Sequence, residues 1–228
     1  INKFIYFKKI INFLNKIQLI KSRKIKNFKN KYYTIPKYDK SLLIKEASLF
    51  CDWYAKKKLT KSDKNKFSRE FQKIIKQLAN NLKLKNDIFV HRDFHVSNLM
   101  LVNNQIGIID SQDALIGNKA YDLASLIDDV RMKTSKSFKK KVYNLYIKKQ
   151  KKLDLHKFKN DFEILSILRN LKIIGIFTRL AIRDRKNNYL KLIPYTWRLI
   201  NMRINESKIF QDLKKLLNKN FKGKLNAN

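Results

Sequence analysis

The chain has 228 residues, enough for one large domain or two small ones with a real core. Apolar residues make up 44% and aromatics 12%, which excludes a disordered chain. The formal net charge is +35, the single cysteine excludes an intrachain disulfide, and no uncharged apolar run reaches the roughly eighteen residues of an ordinary transmembrane helix.

So basic a chain invites a nucleic-acid or anionic-membrane reading. The basic residues are 43 Lys against 10 Arg, however, and Asn, Ile, Phe and Tyr are also frequent. That pattern follows AT-rich codons, whereas nucleic-acid interfaces favour Arg for forked contacts. Compositional drift is the preferred explanation and a nucleic-acid partner the less favoured one. The lone Cys51 fits a reducing, cytoplasmic setting and is expected to be a buried small hydrophobe.

Phe4, Phe7, Ile10, Ile11, Leu14, Ile17 and Ile20 recur at helical spacing, which predicts an amphipathic helix over 1–20 rather than a signal peptide. Residues 21–40 read as a basic, Tyr-containing connector. Ser41 is the expected N-cap of a helix running to about Lys58. Thr60–Asp63 reads as a break. A second helix is expected over 64–82, with Phe67, Phe71, Ile74, Ile75, Leu78 and Leu82 on its apolar stripe.

The pattern then changes period. "DIFV" (87–90), "LMLV" (99–102) and "IGII" (106–109) read as short strands, the last two joined by Asn103-Asn104 in a tight hairpin. Helices are expected again over 120–132, 136–150, 157–184, 187–203 and 206–219, with the "KGKLNAN" end frayed. The expected fold class is α+β: mostly helical, with a small β-hairpin carrying the polar residues.

Those residues lie in "HRDFHVSN", His91–Asn98, between two strands. Asp93 and Asn98 are five apart, so a tight loop can turn both towards one cavity. Asp110 follows twelve residues later, where the hairpin returns the chain. Two carboxylates and an amide oxygen are hard ligands that suit Mg²⁺ with phosphate rather than zinc. Asn98 and Asp110 would hold the metal, which leaves Asp93 to accept a proton from a substrate hydroxyl. H-R-D-x-x-x-x-N, a hairpin and a metal Asp are the layout of phosphoryl transfer from ATP. His91 and Arg92 are expected to support the loop, and His95 to face the substrate or cap the loop. A rival reading takes "HRDFH" as a hydrolase metal cluster, but a third strong ligand at short spacing is missing.

After Asp110 the chain has no D-F-G and no A-P-E. "VHRDFHVSNLM", "DSQDALIGNKAYDLASL" and "YDKSLLIKEASLFCDWY" resemble the aminoglycoside phosphotransferase and choline kinase-like superfamily. Together with "LRNLKIIGIFTRLAIRDRKNNYLKLIP", they resemble within it the bacterial sugar kinases that phosphorylate the anomeric hydroxyl of N-acetylmuramate and N-acetylglucosamine. The resemblance covers most of residues 38–194. It implies a protein kinase-like large lobe, ATP and Mg²⁺, an amino-sugar acceptor and a role in cell-wall recycling. It also implies a buried Asp122 bracing the catalytic loop. The C-terminal helices would form a substrate wall, with Glu46, Asp52, Trp53, Arg179, Arg183 and Lys186 as candidates. Gln112 and Asp113, beside Asp110, are further substrate-side candidates.

The expected division is 1–37 as an N-terminal helix and basic linker at the end of the small lobe, 38–205 as the phosphotransferase large lobe, and 206–228 as a terminal helix and tail. Nothing before residue 38 reads as a small-lobe sheet, the first glycine is Gly107, and the chain begins at Ile1. These features predict a large lobe whose small lobe is lost or not included, with little turnover on its own, because phosphate positioning supplies most of this catalysis. The alternatives are a catalytically dead fragment or scaffold and a basic nucleic-acid-binding protein.

Overall fold

The computed structural model describes residues 3–225. Ile1 and the last three residues of the "KGKLNAN" tail lie outside them. The elements in chain order are α1 (Lys3–Ile17), β1 (Lys24–Lys26), β2 (Tyr32–Thr34), α2 (Lys40–Leu49), a π-helical turn (Phe50–Ala55) and α3 (Lys56–Lys58). Then come α4 (Lys61–Asn80), β3 (Asn86–Val90), β4 (Leu99–Val102), β5 (Gln105–Ile108), β6 (Leu115–Asn118) and α5 (Tyr121–Ile127). The chain ends with α6 (Lys136–Lys148), α7 (Leu155–Arg183), α8 (Ile193–Ile204) and α9 (Gln211–Asn220). The sheets are all two-stranded and antiparallel, so the fold is α+β and mainly helical. Among the described residues no helix is long and apolar enough to cross a membrane.

The chain divides into two compact units that interleave in sequence. One comprises the residues up to Asp39 together with Lys83–Phe162, and the other Lys40–Leu82 with the residues from Glu163 onward.

In the first unit, β3 pairs with β6, and β4 with β5. The segment 36–38 adds to β6 through Ile116 N–H to Pro36 C=O and Tyr38 N–H to Ile116 C=O, both 2.8 Å. β6 was not legible in the sequence: all four of its residues are buried, so "LIGN" shows no alternation. α5 is buried along its whole length and is therefore apolar all round except for Asp122 and Ser125. The connector at 21–40 forms a hairpin, β1 pairing antiparallel with β2. Asn27 Oδ1 accepts from the N–H groups of Lys29 and Lys31 at 2.9 and 3.0 Å, and Asn30 takes φ 59°. β1 and β2 are exposed on both faces, so no hydrophobic alternation marks them.

In the second unit an aromatic cluster of Phe50, Tyr54, Phe67, Phe71, Trp197 and Phe221 forms the core, with ring centroids 5.2–6.0 Å apart. Full burial of each such ring stabilises by about 1.5–3 kcal/mol. The Trp197 indole N–H donates to Tyr54 Oη at 3.3 Å. Cys51 is buried as expected, and burial pushes its thiol up to about 12, so it stays protonated. Three helix ends differ from expectation. α2 begins at Lys40, which places Ser41 inside the helix rather than at its cap. The break at Thr60–Asp63 is instead the start of α4: Thr60 Oγ1 accepts from Asp63 N–H at 3.2 Å. The C-terminal segment also keeps structure, since residues 222–225 form a turn that buries Leu225.

Gly175 of α7 meets the junction of α2 with the π-turn. A Cβ there would lie 2.3 Å from the Leu49 carbonyl carbon and 2.7 Å from Phe50 N. Backbone cannot yield as a side-chain tip can. Gly175→Ala is expected to lower stability by about 1–3 kcal/mol despite the better helix propensity of Ala, read as a lower urea midpoint at unchanged slope.

Candidate active site

The candidate site is built within the first unit, on the loop between β3 and β4 and the turn after β5. A short 3₁₀ turn, Val96–Asn98, leads into β4. Asn103 and Asn104 take φ 46° and 63°, the left-handed pair a two-residue hairpin requires. The Leu99–Ile108 pairing is followed by Ile109 N–H donating to Asn98 C=O at 3.1 Å. Asn98 therefore sits opposite Ile109, and Asp110 comes one residue further on. Asp110 itself is left-handed, φ 68°, which ends the strand and turns the chain into Ser111–Asp113. Non-glycine residues in this region cluster at functional sites, and Asp tolerates it better than most.

Asp93 is tied to Asn98 through its backbone. Its carbonyl accepts from Asn98 Nδ2 at 3.1 Å and from His95 N–H at 3.0 Å. With Nδ2 committed, the Asn98 side chain has its oxygen to offer a cation. One oxygen of the exposed Asp110 carboxylate accepts from Gln112 Nε2, and the other is available. An amide oxygen and a carboxylate at the end of neighbouring strands are hard donors that fit Mg²⁺, which takes its remaining ligands from phosphates and water.

Two buried carboxylates hold the loop's backbone. Asp122, 0% exposed, accepts from His91 N–H at 2.7 Å and Arg92 N–H at 3.0 Å. Arg92 is itself left-handed, φ 75°, a conformation that costs of order 1–3 kcal/mol and persists only where the surroundings impose it. The second is Asp129, 1% exposed, which accepts from Val96 N–H at 3.0 Å and Arg131 N–H at 3.0 Å. Sequence reasoning missed Asp129. The available signal was an acidic pair closing an apolar run, "LASLIDDV", where a carboxylate must be engaged to be tolerated. Its neighbour Asp128 meets Lys139 Nζ at 3.3 Å. Asp161 was also missed. It accepts from the N–H groups of Lys83 and Leu84, both at 2.8 Å, and from Asn118 Nδ2 at 2.7 Å, which secures the approach to β3 and the exit from β6.

His91 is 1% exposed, and its Nε2–H donates to Ile109 C=O at 3.1 Å, beside Asp110. Burial holds its pKa below the ordinary histidine range, so it is neutral at pH 7. Phe94 is fully buried and stacks on Phe13 of α1 at 6.5 Å, while Lys9 of α1 donates to Asn104 C=O at 3.1 Å. The hydrolase cluster does not form: His91 faces a carbonyl, and no three His, Cys, Asp or Glu side chains gather at metal distance among the described residues.

His95 is buried, not open to solvent. Asp113 is 62% exposed and lies 3.8 Å from the Arg92 guanidinium. Trp53, Arg179 and Arg183 belong to the second unit. Trp53 is half-buried in the π-turn, and Arg179 half-buried on α7. Arg183 is exposed and makes a two-bond contact with Asp184 at 2.7 and 3.0 Å, which holds that carboxyl below its usual range. Glu46 is buried against Lys172 at 2.9 Å.

The family model of the phosphotransferase enzyme family matches residues 6–155. Among characterised proteins, the chain is 34% identical over 166 residues to the N-acetylmuramate/N-acetylglucosamine kinase of Neisseria meningitidis serogroup B, covering 70% of this chain and 50% of that one. It is 31% identical over 189 residues to the protein of the same name from Pseudomonas aeruginosa, covering 80% and 56%. The chain spans about half the length of the curated relatives it matches. The matched region contains the loop, the hairpin, Asp122 and Asp129, and on that match the chain belongs to the phosphotransferase enzyme family.

Proposed function

We propose that this chain carries the acceptor-activating and metal-binding half of an ATP-dependent kinase for an amino sugar of the N-acetylmuramate/N-acetylglucosamine type. The observation that carries the reading is the linkage of Asp93 to Asn98, and of Asn98 to the strand that ends in Asp110. In this reading the chain corresponds to the helical lobe of a kinase-like fold.

The Asp93 carboxylate accepts the proton of the acceptor hydroxyl as its oxygen bonds to the γ-phosphorus. The bond from that phosphorus to the bridging oxygen breaks, and ADP leaves. Asn98 Oδ1 and Asp110 would hold Mg²⁺, which when bound neutralises charge on the phosphate oxygens. His91, neutral and hydrogen-bonded to Ile109, holds the Asp110 turn against the loop. Asp122 and Asp129 fix the backbone from which Asp93 projects, and such positioning is worth more here than covalent chemistry. Met100 and Val102, on one face of β4, are about half exposed, an apolar surface on the strand that follows Asn98 and suited to a nucleotide base.

The test is a phosphate-transfer screen with ATP and Mg²⁺ on the protein as its gene encodes it, with N-acetylmuramate, N-acetylglucosamine, choline and an aminoglycoside as acceptors. Transfer to the two amino sugars is expected. Faster transfer to choline or the aminoglycoside, or transfer to none of the four, overturns the reading.

A further inference from the structure

The connector between α1 and α2, in the first unit, carries six Lys and one Arg from Lys21 to Lys37, and the first acidic residue of the chain is Asp39. Every residue from 19 to 34 is exposed, and Ile35 N–H donating to Arg23 C=O at 2.8 Å closes the hairpin at its base. Of the fourteen large apolar side chains exposed among the described residues, six lie in this short stretch: Leu19, Ile20, Ile25, Phe28, Tyr32 and Tyr33. Phe28, in the turn, is 91% exposed, with Lys29 Nζ 5.6 Å from its ring centroid. Ile25 is paired directly with Tyr33, so the two share one side of the hairpin, both about half exposed. Lys24, Lys26, Tyr32 and Thr34 share the other side. A two-stranded hairpin is marginally stable by itself, so one with its apolar side chains in water is stabilised by whatever covers them.

We propose that this hairpin docks on an anionic lipid bilayer. Charge complementarity selects the sign of the occupant, because the stretch holds seven cations and no acid. The separation of Ile25 and Tyr33 from Lys24 and Lys26 suits an element lying in the headgroup layer, its apolar side towards the acyl chains and its cations among the phosphates. Phe28 enters the interface from the turn, and tyrosine rings favour the headgroup level. Single-stranded nucleic acid fits less well. It needs rings and cations on a common side, whereas only Tyr32 shares a side with Lys24 and Lys26, and Ile25 offers no ring for a base to stack on. Lysines in place of arginines also suit headgroups better than base edges. Docking of this kind needs no membrane-spanning helix.

Vesicle co-sedimentation of the protein as its gene encodes it tests this without ATP or acceptor. Vesicles of phosphatidylcholine alone are compared with vesicles of equal parts phosphatidylcholine and phosphatidylglycerol, at physiological salt. Binding is expected only to the anionic vesicles. Phe28→Ala should weaken it about 10-fold or more, the effect of withdrawing a large ring from the apolar layer. Lys24→Gln with Lys26→Gln should weaken it about 30-fold, from about fivefold per lysine at an anionic surface. Lys56→Gln with Lys57→Gln removes the same charge from exposed positions on α3, in the other unit, and should change binding little. The substituted side chains are all exposed, so the urea midpoint should match wild type in every variant. Equal binding to both kinds of vesicle, or to neither, overturns the proposal. So does unchanged binding in Phe28→Ala, or a loss as large for the Lys56 and Lys57 pair as for the hairpin pair, which would assign the attraction to diffuse charge. Tighter binding of poly(U) than of anionic vesicles through the same hairpin residues would assign the surface to nucleic acid instead.

Discussion

Asp93→Asn is expected to lower phosphate transfer about 10²- to 10⁴-fold, the range of general base catalysis. An asparagine cannot accept the hydroxyl proton, yet it has the same shape. The bonds that hold the loop at this position go to the Asp93 carbonyl, from His95 N–H and Asn98 Nδ2, and the substitution leaves that carbonyl in place. The urea midpoint should therefore match wild type, and acceptor and nucleotide affinities should change little. The loss should appear in kcat rather than KM. Transfer at more than a tenth of the wild-type rate would exclude Asp93 as the base. A parallel fall in stability would instead assign the carboxylate a structural role.

Asp122→Ala should cost both stability and activity. It removes a carboxylate that satisfies two backbone N–H groups, one on each side of His91. A buried donor left without an acceptor costs about 1–3 kcal/mol, so the pair should lower unfolding free energy by about 2–6 kcal/mol. The left-handed Arg92 conformation also loses the groups that impose it, and the loop relaxes away from the geometry that aims Asp93. Transfer should therefore fall even at temperatures where the variant is fully folded, which circular dichroism and a rate assay on the same sample would reveal. Asp122→Asn retains one acceptor oxygen and should lie between wild type and Ala. A variant that is destabilised but fully active per folded molecule would separate the brace from catalysis.

The features legible in the sequence were those written in local chemistry. "LMLV" and "IGII" announced strands by their β-branched and apolar residues, and Asn103-Asn104 announced the turn because few other residues adopt two left-handed conformations in succession. His91, Asp93, Asn98, Asp110 and Asp122 stood out because polar residues are costly near apolar runs unless used. The structure brings the first four together through the hairpin and sets Asp122 beneath the loop. β6 was hidden because a strand buried on both faces has no period, and β1 and β2 because strands exposed on both faces have none either. The π-turn at Phe50–Ala55 was unreadable for a different reason. It answers the close approach of Gly175, more than a hundred residues away.

Composition and periodicity by themselves determined that this chain is α+β and mainly helical, and motif spacing by itself singled out residues 91–122 as the candidate site for phosphoryl transfer. Those properties depend on residues near one another in sequence, whose spacing constrains what they can do. Only the tertiary structure decided which carboxylates hold distant backbone groups. Asp129 and Asp161 look like any helix-edge acid until the backbone groups they accept from, 33 and 77–78 residues away, are in place.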